Sequence, residues 1–198
     1  MAANTYLTPE ERTLLESVRV GIAGAGGLGS NCAMHLVRSG VKHITIADFD
    51  VVNESNLNRQ FFFRDQLGQK KVVALKDNLL RIEPDADIRA VDIRLDASSA
   101  REVFADCGIV VEAFDAVDAK VMLVSAFASS GKKLVTASGL AGWGRSNAMK
   151  VRKMGNIVAI GDGETSVGDG AAPVSPRVGI AAAMEANAVV SLLLGCEP

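Results

Sequence analysis

Thiol chemistry has little to work with in this sequence. Its three cysteines, Cys32, Cys107 and Cys196, lie far apart and nowhere form Cys-x-x-Cys. That excludes a zinc site built on paired thiolates, and the odd count argues against a disulfide framework. Cys32 falls on a predicted helix and Cys107 just before a predicted strand, so both read as small buried hydrophobes. Histidine is scarcer: only His35 and His43 are present, flanking one predicted helix, where they read as helix-surface and strand-edge residues. The single tyrosine, Tyr6, lies in the N-terminal tail. No apolar run approaches the roughly 18 residues that a membrane span needs. The opening stretch "MAANTYLTPEERTLLESV" carries charge where a signal peptide needs its apolar segment, so a cytoplasmic protein without a membrane partner is expected. A surplus of positive charge is missing too. The 21 basic and 23 acidic residues leave a net charge of −2, and the basic ones are scattered, which argues against a nucleic-acid partner.

What is present is a chain of 198 residues, 48% hydrophobic, long enough for one well-buried core and short for two, so residues 1–198 are expected to form a single domain. After a polar helix near residues 8–17, "VRVGIAG" is an apolar β-branched run that stops at glycines, and "SNCAMHLVRSG" continues as a helix. "HITIADFD" reads as a second strand ending in acid, and "QLGQKKVVALKDNLLRIEP" as a helix closed by Pro84. A strand at "DIRAVDI", a helix at "SSAREVFAD", a strand at "GIVVEAF", a helix at "DAKVMLVSAFASSG" and a strand at "KLVTAS" follow. This alternation predicts a doubly wound, Rossmann-like α/β fold: a mostly parallel sheet with helices on both faces. Beyond Gly139 the pattern changes. "SNAMKVRKMG" and "NIVAIGD" read as an antiparallel pair toward the C-terminus, because their connection at Gly155-Asn156 is too short for a crossover. Residues 161–173 read as a mobile glycine-rich loop, and "RVGIAAAMEANAVVSLLLG" as a closing buried helix.

The chemistry begins at "GAGGLG". A helix N-terminus offers unpaired N–H groups and a partial positive charge, and Gly24, Gly26, Gly27 and Gly29 let a phosphate approach them. Asp48 follows 19 positions after Gly29, where a carboxylate can accept both hydrogen bonds of a ribose diol. This much suits NAD and ATP alike. The stretch after it, "DFDVVNESNLNRQFFFRDQLGQKK", separates them. A dinucleotide diphosphate is already held by the glycine turn, whereas a triphosphate can use Asn56 as a neutral donor, Arg59 as a forked cation and Lys71 as a point charge.

Together the strings "GAGGLG", "ADFDVVNESNLNRQ", "GQKK" and "EAFD" resemble the ATP-binding core of the ubiquitin-activating-enzyme superfamily, in particular its bacterial ThiF and MoeB branch. The resemblance runs from about Val20 to Ala137, resumes in the last helix, and is strongest to the short second ThiF subfamily. It implies adenylation of the C-terminal glycine of a small ubiquitin-fold sulfur carrier, ThiS-like and tied to thiamine thiazole synthesis. The alternatives from the same sequence are a molybdopterin-type carrier, an NAD(P)-dependent oxidoreductase, and a nucleotide-bound regulatory module without turnover. Carried over by residue, it assigns the ribose to Asp48 and the triphosphate to Asn56 and Arg59. Arg59 would also steady the departing pyrophosphate, and Lys71 would meet the α-phosphate while Lys70 faces elsewhere. Asp115 would hold Mg²⁺. Arg59, Lys71 and Asp115 are thus the expected catalytic set, with ATP and Mg²⁺ but no zinc, and a homodimer is implied. The chain departs from longer members of the branch in lacking their paired zinc cysteines and their reactive loop cysteine: residues 139–195 contain none. The branch's arginine-containing stretch before the first strand is also missing from "TPEERTLLESVRV".

Overall fold

A computed structural model of the chain describes residues 6–166 and 170–198. Five strands pair in parallel: β1 (Val20–Ala23), β2 (His43–Asp48), β3 (Asp87–Asp92), β4 (Ile109–Glu112) and β5 (Lys133–Ala137). Two more, β6 (Lys150–Met154) and β7 (Ile157–Gly161), complete a seven-stranded sheet in the order β3-β2-β1-β4-β5-β7-β6. β7 joins β5 in parallel, and β6 alone runs antiparallel, against β7. The doubly wound, mostly parallel fold with an antiparallel C-terminal strand is therefore present as expected.

The central strands are buried on both faces, as strands flanked by helices must be. Alternate residues feed two separate cores. Val20, Ile22, Ile44 and Ile46 point into one, with Leu36 and Cys32 of α2 (Gly27–Arg38), Leu75 and Leu79 of α3 (Lys71–Leu80), and Ala182 and Ala186 of α6 (Ser175–Leu193). Ala23, Ala47, Val110 and Leu134 point into the other, with Ala100 of α4 (Ala97–Val103) and Leu123 and Phe127 of α5 (Val117–Phe127). The N-terminal helix α1 (Pro9–Ser17) starts at a reciprocal Thr8–Glu11 capping box. Ala181, Ala182, Ala186 and Ala188 of α6 are packed inside the chain, against the α2 side of the sheet, while Gly179 and Ala183 remain part-exposed.

Three expectations need correction. The third helix begins at Lys71, not at "QLG": Gln66 belongs to a separate 3-10 turn (Arg64–Gln66), and Gly68 at φ +82° breaks any continuous helix. α2 begins at Gly27, so Gly27 and Gly29 of the glycine motif lie in its first turn while Gly24 and Gly26 precede it. The predicted loop 161–173 is anchored at its start, because Asp162 is buried and accepts N–H bonds from Glu164 and Thr165 at 2.8 and 2.9 Å. Residues 167–169 of that loop lie outside the described residues. The exposed edge strand β6 carries Lys150, Arg152 and Lys153, charges that discourage edge-to-edge pairing.

Candidate functional site

Connections on either side of β1 leave the sheet in opposite directions, which opens a crevice at the C-terminal ends of β1 and β4. The glycine turn lines it. Gly24 has φ +104°, and a Cβ there would stand 2.8 Å from the Ala113 carbonyl oxygen after β4. A Cβ on Gly29 would run into the Gly24 carbonyl. Both positions therefore require glycine for close backbone approach. Gly26 caps α2 with no side-chain acceptor, so the first N–H groups of that helix remain available to an anion at its positive end.

Asp48 closes the turn from the neighbouring strand. Its Oδ2 accepts the Ala25 N–H at 2.6 Å and its Oδ1 the Asp50 N–H at 2.8 Å. A carboxylate has about four acceptor sites, so two remain for a diol. The acid expected only to read a ribose thus also holds the glycine turn in shape.

The segment that carries Asn56 and Arg59 is pinned to the first turns of α2. The Asn31 amide donates to the Arg59 carbonyl at 2.9 Å and to the Gly27 carbonyl at 2.7 Å. The Ser30 hydroxyl accepts the Phe61 N–H at 3.0 Å. As a result the Arg59 stem lies beside Gly27, with Cγ 3.5 Å from where a Cβ would sit. Among the described residues the Arg59 guanidinium donates to close neighbours in sequence, the Ser55 carbonyl at 3.3 Å and Asn58 Oδ1 at 2.9 Å. Asn56 uses its side-chain oxygen to accept the Asn53 N–H at 3.0 Å.

The two lysines of "GQKK" diverge as expected, but neither is free. Lys71 is buried and donates to Asp50 Oδ2 at 2.9 Å. Half-exposed Lys70 turns toward the Phe49 carbonyl at 3.3 Å and pairs with Asp92 at 3.1 Å. Asp50, which the sequence reading left without a task, is therefore the resting partner of Lys71. Asp115 stands three residues beyond β4 at the same sheet edge, exposed, and no hydrogen bond or ion pair is formed by it among the described residues. One such carboxylate suits Mg²⁺, which proteins hold through one or two carboxylates with substrate phosphates and water supplying the rest.

Beneath this edge lies a buried polar cluster that the sequence reading missed. Glu112, fully buried at the end of β4, accepts from Lys120 Nζ at 3.0 and 3.1 Å, from Thr136 Oγ1 at 2.5 Å and from the Phe114 N–H at 2.8 Å. Its only trace in the sequence is one acid in an apolar strand. Glu185 of α6 is buried with both oxygens unpartnered. Burial, and then the charge of Glu112, push its carboxyl well above the usual carboxylate range. Asp162 and Arg177 form a second buried ion pair, and Arg177 also donates to the Gly144 carbonyl at 2.6 Å. Burial raises the Cys107 thiol to about 11 and holds Cys32 well above its ordinary value, so neither is poised as a thiolate.

A glycine turn at the switch point of a doubly wound sheet, with an acid on the next strand, defines a Rossmann-like α/β protein. Structural neighbours agree on the fold: E. coli tRNA N6-threonylcarbamoyladenosine dehydratase, TcdA, solved in complex with AMP, superposes with a TM-score of 0.84 at 20% identity over 94% of this chain and 90% of that one. The ThiF family matches residues 3–198, and the chain belongs to that family. Curated relatives include the adenylyltransferase and sulfurtransferase UBA4 of Eremothecium gossypii, 35% identical over 127 residues. The molybdopterin-synthase adenylyltransferase of Salmonella typhimurium is 36% identical over 115 residues. These matches cover 64% and 58% of the chain but only 29% and 46% of the relatives, so the chain spans less than half of either length.

Proposed function

We propose that this protein adenylates the C-terminal carboxylate of a small ubiquitin-fold sulfur carrier, working as one ATP-binding domain over residues 1–198. The observation that carries this reading is the pinning of Arg59 by Asn31 and Ser30, which lays the stem of a forked cation beside Gly27 at an uncapped helix N-terminus. A triphosphate needs such an arrangement and a dinucleotide does not. Relatives named as adenylyltransferases support the same chemistry.

The reaction is carrier-COO⁻ + ATP → carrier-CO-AMP + pyrophosphate. The carrier carboxylate oxygen bonds to the α-phosphorus as the bond to the bridging oxygen breaks, and the electron pair leaves with pyrophosphate. No general base is needed, because a terminal carboxylate is already ionised at neutral pH. Catalysis is then positioning plus charge compensation. The α2 N–H groups, Asn56 and Arg59 hold the phosphates, with Arg59 on the leaving pyrophosphate. Lys71 has three donor hydrogens and gives one to Asp50, so it can meet an α-phosphate oxygen without abandoning its partner. Asp48 takes the ribose. Asp115 would hold Mg²⁺, which when bound offsets phosphate charge.

Among carriers we favour a ThiS-like one, placing the protein in thiamine thiazole synthesis in the cytoplasm. A molybdopterin-type carrier is the second reading, favoured by the Salmonella relative's name. A homodimer rests on the family resemblance. ATP–pyrophosphate exchange with each purified carrier tests the proposal: faster exchange with ThiS supports it, faster exchange with the molybdopterin carrier moves the substrate, and no exchange with either removes the activity.

A further inference from the structure

The turn after β4 has two duties, and the cluster beneath it is built to fix both. Its first residue, Ala113, donates to the Ala23 carbonyl at 2.9 Å, and its own carbonyl presses against Gly24. Phe114 lies against the same glycine, with Cδ1 3.4 Å from where a Cβ would stand. Two residues past Ala113 comes Asp115, whose side chain touches no polar partner among the described residues. Asp115 therefore cannot be oriented through its own carboxylate; only the backbone leading to it can be held.

Glu112 supplies that hold. Its Oε1 takes the Phe114 N–H at 2.8 Å, closing the turn two residues on. Three side-chain hydrogen bonds fix the carboxylate in turn. Two come from Lys120 in the first turns of α5, and one comes from Thr136 on β5. Lys120 reaches further, donating to the Ala137 carbonyl at 3.0 Å. The cluster thus spans the ends of two strands and the start of one helix. A fully buried carboxylate is costly unless paired and hydrogen-bonded, and this one is satisfied throughout. A simple apolar contact would pack the same volume without directing the Phe114 N–H.

We propose that Glu112, Lys120 and Thr136 are positioning residues that fix the Phe114 backbone and thereby aim Asp115 at the metal–nucleotide site and set Ala113 against the glycine turn. The metal part rests on the adenylation reading; the hold on the turn does not. Partners that orient a metal-holding group typically change metal affinity 10- to 100-fold when removed.

The test uses the full chain with Thr136→Val, which deletes one hydrogen bond, and Lys120→Met, which deletes three. Backbone amide exchange at Phe114 reports the hold directly, and calorimetric titration of ATP with and without Mg²⁺ reports its consequence. Faster Phe114 exchange in both variants, with the Mg²⁺ half-saturation concentration raised about tenfold and metal-free ATP affinity kept, supports the proposal. Unchanged Phe114 exchange in either folded variant overturns it, as does an equal loss of ATP affinity with and without metal. Faster exchange in a protein whose parent binds ATP without regard to Mg²⁺ upholds the hold on the turn and overturns the assignment of Asp115.

Discussion

Lys71 with Asp50 and Arg177 with Asp162 are both pairs of a buried cation with a carboxylate, but they are built for opposite ends. In the first, the lysine side chain is 7% exposed while its partner is 49% exposed, and a single hydrogen bond joins them. In the second, both side chains are 2% exposed, and Asp162 also accepts from the Glu164 N–H and from the Thr165 N–H and hydroxyl. A pair open on one side can share its cation with an arriving phosphate. A pair closed on both sides cannot exchange, and serves to tie the loop after β7 to the start of α6.

The closed pair should give the largest response when broken. Arg177→Met leaves Asp162 buried without its cation and should cost about 3–5 kcal/mol in denaturant unfolding. Asp162 is the acid to watch with pH: burial raises its carboxyl, but donors from Thr165 and Glu164 and the charge of Arg177 more than offset this and hold it below the usual range. Its stabilisation is therefore complete above the ordinary carboxylate range and lost as pH falls through its lowered value. Arg177→Met should flatten that acid limb.

The open pair should respond in catalysis more than in folding. Lys71→Ala is expected to lower turnover about 10²-fold with a smaller change in ATP affinity, because its charge is needed most as the α-phosphate is attacked. Lys70→Ala, facing Asp92, should leave exchange nearly unchanged. If Lys70→Ala is the damaging change, the assignment across "GQKK" is off by one residue.

Glu185 sharpens the comparison, being a buried acid with no hydrogen-bond or ion-pair partner among the described residues. With its carboxyl held well above the ordinary value of 4.5, it makes the folded state bind a proton more tightly than the unfolded one, so stability falls as pH rises above that value. Glu185→Gln should remove that loss, with stabilisation over the parent growing in thermal unfolding as pH rises above the ordinary carboxylate value. The smallest effect is expected from replacing Cys32, Cys107 and Cys196 together with alanine: carrier adenylation should persist, with some loss of stability where Cys32 and Cys107 are buried. A folded triple variant unable to form carrier-adenylate would assign a thiol a role that the raised Cys32 and Cys107 values argue against.

Local features of the fold were legible because local spacing encodes them. The glycine turn, the acid 19 residues beyond it and the two-residue connection at Gly155-Asn156 need only neighbours in sequence. The Gly155 turn, at φ +62°, appears where expected. The long-range polar contacts were not legible, since their partners meet only once the chain has folded: Asp50 and Lys71 are 21 residues apart, and Glu112 and Thr136 are 24 apart. A charged residue inside an apolar strand or helix, such as Glu112, Arg177 or Glu185, was the available sign that a buried partner or a proton must be sought. The anchored start of the 161–173 loop was hidden for the same reason, because Asp162 reads as polar loop until Arg177 is brought to it.

Intact-mass analysis of the carrier tests the central claim most directly. Incubated with this protein, ATP and Mg²⁺, a ubiquitin-fold sulfur carrier ending in glycine should gain the mass of one adenylyl group, and a carrier lacking that glycine should not. A carrier that stays unmodified while the protein binds NAD more tightly than ATP would contradict the account.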